Sequence, residues 1–115
     1  RSEAATSEAT LTILRRALLD DADALITSAR EGDVSLIARA AMRTRFAVAS
    51  RLALQITQRL FAALGGSVLP AGTRIERLFR DVHAMSSHML LQPDAIGEPY
   101  GRLLLDLPLP PTARI

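Results

Sequence analysis

Apolar residues recur along this chain at three- and four-residue intervals, the period of a helix face. From Ser7 to Arg30 the positions Leu11, Leu14, Leu18, Ala22, Leu25 and Ala29 share one face, and Asp20 and Asp23 fall away from it. The spacing predicts a first helix that Gly32 stops, since glycine enters the left-handed conformation at little cost. A second helix is expected from Asp33, as its N-cap, to Leu64, with no Pro or Gly inside it. Its length would be about 45 Å at the helical rise. Gly65 and Gly66 end it, and a loop runs to Gly72. Thr73 and Glu76 then form a T-x-x-E capping box, which opens a third helix to about Leu91. Ile75, Leu78, Phe79, Val82, Met85 and Met89 make its apolar side, opposite Arg74, Arg77, Asp81, Ala84 and His88.

The pattern changes at Pro93. The remainder holds Gly97, Pro99, Gly101, Pro108, Pro110 and Pro111, which do not sustain a regular helix throughout. The run Leu103-Leu104-Leu105 is expected to anchor this tail on the bundle. The reading is therefore an all-α fold: an up-down helical bundle of three main helices over residues 1–92, part of a four-helix bundle, with an irregular Pro-rich tail over 93–115. A third helix of about 27 Å covers only part of the second. A fourth helix, another domain or a second subunit is expected to complete the packing.

Composition sharpens this picture. The chain is 49% apolar but only 3% aromatic, so Ala and Leu carry the helices. There is no Cys, which removes disulfides and thiolate chemistry. All 14 basic residues are Arg, with no Lys and no Asn, a bias expected of a GC-rich bacterial genome. The formal charge of +2 lacks the dense basic patch of a nucleic-acid binder. Between Val34 and Ile75 there is no acidic residue, yet Arg39, Arg43, Arg45, Arg51, Arg59 and Arg74 occur there. They form no single stripe, and they are expected to be solvated or paired with Asp20, Asp21 or Asp23. No run reaches the ~18 apolar residues of a membrane helix. No secretory pattern is present, so a cytoplasmic location is expected. The chain begins at Arg1 without an initiator Met and is expected to be a piece of a longer protein.

The stretch from Gly65 to His88, GGSVLPAGTRIERLFRDVHAMSSH, resembles the C-terminal helical domain of the acyl-CoA dehydrogenase superfamily. Gly65-Gly66 after a long helix, then Arg77-Leu78-Phe79-Arg80-Asp81, match the family's Gly-Gly and R-x-x-R-D-like run. The resemblance implies a flavin, FAD or FMN, bound between this bundle and the remaining domains of the same enzyme. It also implies assembly as a homodimer or homotetramer, with Gly65 and Gly66 approaching the flavin of a neighbouring subunit. Ala62 stands where dehydrogenases commonly place a Gln that helps hold the adenine half. Met89 falls where many dehydrogenases carry a catalytic Glu, and a thioether is no base.

His88 instead matches a histidine of the two-component flavin monooxygenase branch, which faces flavin and substrate. In that branch a separate flavin reductase supplies reduced flavin, which reacts with O₂. Imidazole serves there as hydrogen-bond donor or base near neutral pH. Two alternatives accompany this expectation: a dehydrogenase with its base outside this chain, and a non-catalytic helical oligomerisation module. His83 and His88 are five apart, not the four that puts metal ligands on one helix face, so no metal site is expected. Asp81 is expected to pair with Arg77, four residues earlier.

Overall fold

In a computed structural model the chain is all-α, with helices α1 (Ser2–Glu31), α2 (Leu36–Leu64), α3 (Arg74–Ser86) and α4 (Pro93–Leu104). The structure describes residues 1–65, 72–88 and 91–115. Gly66 and Met89, both singled out in the sequence, lie outside them, as does most of the loop before Gly72.

Helix α2 is the central element, and every other helix packs on it. It runs antiparallel to α1, because Arg45 meets Asp21 near one end and Arg59 meets Glu3 near the other. Its second side carries Thr44, Arg51 and Gln58, seven residues apart and so nearly in line along the helix. Gly97 lies against Thr44, Asp94 pairs with Arg51, and His83 meets Gln58. Helices α3 and α4 thus follow one another along the same side of α2, both antiparallel to it. Together they nearly match its length, being 13 and 12 residues against 29. The uncovered stretch expected beside a short third helix is filled by this fourth one.

The core is made of small residues. Ala40, Ala41, Ala47, Ala49 and Ile56 of α2 are buried, and no large side chain is fully buried among the described residues. Alanine at a seam lets helix axes approach closely. Much of the large apolar surface remains exposed, including Leu11, Ile13, Leu19 and Ile26 of α1 and Phe46 of α2.

Several boundaries differ from the sequence reading. Helix α2 is capped by Ser35, whose hydroxyl accepts from the Ala38 N–H, while Asp33 accepts from Val34 one residue on. The capping box at α3 forms: Thr73 Oγ1 accepts from the Glu76 N–H, and a Glu76 carboxylate oxygen accepts from the Gly72 N–H. Helix α3 ends at Ser86, short of Leu91, because the Ser86 and Ser87 hydroxyls donate to the His83 carbonyl and compete with the helix ladder.

The segment read as an irregular tail is helical to Leu104, with Pro93 in the first turn and Pro99 inside. Proline in the first turn gives up an N–H that has no helical partner. Pro99 is the buried residue of α4, and packing on α2 outweighs its helix-breaking tendency. Beyond Leu105 the chain is irregular, and Arg43 Nη1 donates to the Arg114 carbonyl at 2.7 Å. The leucine run does not dock as a unit: Leu103 is half-buried, while Leu104 and Leu105 are 59% and 70% exposed.

The one bidentate ion pair among the described residues, Arg45 to Asp21 at 2.6 and 2.7 Å, ties α1 to α2. Donating to the Asp21 carboxylate holds the Arg45 guanidinium above the usual arginine range. On α3 the pair is Arg80 with Glu76 at 2.8 Å, not Asp81 with Arg77. Glu76, fixed at the helix start by its cap, faces Arg80 one turn on.

Candidate functional site

His88 sits on the short joint between α3 and α4. Its N–H donates to the Met85 carbonyl at 3.1 Å, and its own carbonyl accepts from the Leu91 N–H at 2.8 Å. Gln92 closes the joint: its side-chain amide donates to the Ser86 carbonyl at 3.0 Å, and its backbone caps α4. The imidazole-bearing residue is therefore held on a compact turn and is itself exposed.

The two neighbours that bracket His88 both line apolar grooves between α1 and α2. Met85 borders one of about 460 Å³ with Leu14, Leu18 and Phe46. Leu91 borders another of about 530 Å³ with Leu18, Leu25 and Phe46. The two share Leu18 and Phe46, so they run on from one another. Each has the volume of an ordinary small-molecule pocket. Polar groups are few: Arg15 and Ser50 in the first, Asp21, Arg39 and Arg43 in the second.

Gly65 is the C-cap of α2 with φ 75°, a left-handed conformation that disfavours a side chain. Among the described residues, no atom beyond its own chain neighbours lies within 4 Å of where its Cβ would be. Gly65 and His88 are not brought together. Gly65 ends α2, whereas His83 meets Gln58 seven residues back along that helix, and antiparallel α3 carries His88 five residues further from the Gly65 end.

The sequence reading gave no role to His83, which the structure places at the α2–α3 seam. Its Nδ1 is 2.8 Å from the Phe79 carbonyl and its Nε2 is 3.2 Å from the Gln58 amide nitrogen. Its ring lies 4.1 Å from that of Phe79, which stacks on Phe61 at 4.2 Å. The signal available in the sequence was the four-residue step from Phe79 to His83, which puts the pair on one face.

No helix among the described residues is long and apolar enough to cross a membrane. The profile of the family described as "Acyl-CoA dehydrogenase, C-terminal domain" matches residues 1–93. The chain is 32% identical over 70 residues to a p-hydroxyphenylacetate 3-hydroxylase, oxygenase component, of Acinetobacter baumannii, which covers 61% of this chain and 17% of that protein. It is 34% identical over 71 residues to a pigment production hydroxylase of a Rhodococcus strain, covering 62% of this chain and 18% of the relative. The chain thus spans less than a fifth of the length of these curated relatives. No solved structure gives a significant match. With most of its length matched by that profile, the chain belongs to the acyl-CoA dehydrogenase C-terminal domain family.

Proposed function

We propose that this chain is the C-terminal bundle of a flavin-dependent monooxygenase, the oxygenase component of a two-component system acting on an aromatic compound. The observation that carries the reading is the placement of His88. It stands on a braced joint, between two residues that line apolar grooves large enough for an aromatic ring. Both curated relatives are hydroxylases, which supports the reaction class. Bound flavin, FAD or FMN, would supply the oxygen chemistry once reduced by a separate reductase. The role of His88 is to donate a hydrogen bond at the reacting centre or to take a proton from a substrate hydroxyl. Gly65, with its left-handed backbone, suits close approach of a flavin phosphate or ribose.

The exposed apolar faces of α1 and α2 support burial against the enzyme's other domains or a second copy. The chain alone lacks most of a flavin pocket on this reading. Titration with FAD and FMN, followed by fluorescence, should show no tight binding by the isolated chain. In the full-length oxygenase, His88→Ala should lower hydroxylation about a hundredfold, the scale of a lost general acid or base. Unchanged hydroxylation in that variant would overturn the assignment of His88. Tight flavin binding by the isolated chain would overturn the partial-pocket reading.

A further inference from the structure

The ring of His83 is held at both nitrogens. A carbonyl oxygen can only accept, so Nδ1, 2.8 Å from the Phe79 carbonyl, carries a proton and donates it. In the neutral ring Nε2 is then a lone pair, and it accepts an N–H from the Gln58 amide at 3.2 Å. The contacts therefore select one tautomer, with the proton on Nδ1. The stack on Phe79 and Phe61 fixes the plane of the same ring.

The backbone of His83 leads directly to His88. Its carbonyl accepts from the Ser86 hydroxyl at 3.0 Å, the Ser87 hydroxyl at 2.8 Å and the Ser87 N–H at 3.1 Å. These donors close the last turn of α3, and His88 is the next residue. Its own N–H turns back onto Met85. Orientation thus passes from Gln58 of α2, through the His83 ring and carbonyl, to the turn that presents His88.

We propose that His83 is a positioning residue for His88, acting through this tautomer-fixed bridge to Gln58. The functional weight of the proposal rests on the reading that His88 works at the reacting centre. The bridge itself does not.

The test uses the 115-residue chain and two variants. His83→Phe keeps a ring to stack but removes both hydrogen bonds. Gln58→Leu changes an exposed residue, so its fold is not at stake. Long-range proton–nitrogen NMR should find the His83 proton on Nδ1 at neutral pH. Amide exchange at Ser87 and His88 should quicken about fivefold in His83→Phe, the effect of one hydrogen bond of ordinary net worth. Exchange at Ala47 should stay unchanged. The ring signals of His88 should move in both variants. A proton on His83 Nε2 would overturn the bridge. Unchanged exchange and ring signals at His88 would overturn the positioning role.

None of these signals involves flavin or turnover, so they separate this proposal from the oxygenase reading. In the full-length oxygenase, His83→Phe should lower kcat with the KM for reduced flavin unchanged. An unchanged kcat beside an impaired His88→Ala would overturn the functional role of His83 alone.

Discussion

Helix α4 exists because α2 holds it, and Ala47 is the position at which that dependence can be measured. The side chain of Ala47 is 0% exposed. It lies one helical turn from Thr44 and one from Arg51, two of the positions of α2 that meet α4. Ala47→Leu adds three carbons where no space is open, and such overpacking costs about 1–3 kcal/mol. The strain can be relieved by moving α1, α3 or α4, and α4 is the weakest of them. It contains Pro99, Gly97 and Gly101 within 12 residues. Intrinsic propensity disfavours that helix by about 5 kcal/mol relative to alanine at those positions. Its own turns cannot hold it once packing is weakened.

The expected outcome of Ala47→Leu is therefore local loss of α4, with the α1–α2 hairpin and α3 retained. Hydrogen exchange read by mass spectrometry would show residues 93–104 losing protection while residues 74–86 keep theirs. The helical signal in circular dichroism would fall by at most about one seventh, the share of a 12-residue helix beside helices of 30, 29 and 13. Ala63→Leu, on an exposed position of the same helix, is the control and should change neither signal. Equal loss of protection in α3 and α4 would refute the argument, because it would mean that the two helices unfold as one unit. So would full retention of α4.

Four further outcomes follow from the packing. Asp21→Asn breaks the bidentate pair with Arg45; because the Arg45 side chain is 46% exposed, thermal denaturation should show a loss of only about 1 kcal/mol or less, smaller at high salt. Hydrogen bonding to Asp21 raises the Arg45 pKa, so that group's contribution is present below the arginine range and is lost only above it. It should therefore add no pH dependence near neutrality, which a denaturation series against pH would check. Thr73→Ala removes the cap on the Glu76 N–H and should cost about 1 kcal/mol, with faster amide exchange in the first turn of α3. Phe46→Glu places a charge in the shared floor of the two grooves, and light scattering should show weaker self-association of the full-length protein if that face is buried between copies.

The helices were legible because their signals are local. The capping box at Thr73 and Glu76 and the stop at Gly65 depend on neighbours a few residues away, and both form. Helix α4 was illegible for the opposite reason. Its prolines and glycines argue against helix locally, and only the groove beside Thr44 and Arg51 decides otherwise. The early end of α3 turns on which carbonyl the Ser86 and Ser87 hydroxyls choose, a competition that periodicity does not report. Resemblance alone singles out His88, while the place of His83 shows only with Gln58, 25 residues away, set against it.

The separation of Gly65 from His88 has a consequence for how an intact oxygenase would be built. His83, five residues before His88, meets Gln58, seven residues before Gly65 on α2, and α3 runs on away from Gly65, so on the proposed reading one short reacting centre does not draw both from one chain. A two-fold assembly would instead pair His88 of one copy with Gly65 of the next, making two shared sites. This arrangement has a clear signature in mixed assemblies. Gly65→Val strains a backbone at φ 75° and blocks the approach, and His88→Ala removes the imidazole. Each variant alone should fall to about a hundredth of native activity or below in the full-length enzyme. Mixed as dimers, one of the two sites in each heterodimer holds the native glycine and the native histidine together. Random exchange makes half the dimers mixed, so activity should recover to about a quarter of the native level. Recovery requires that the residues come from different copies. If both served one site from the same chain, every site would stay defective and no mixture would recover.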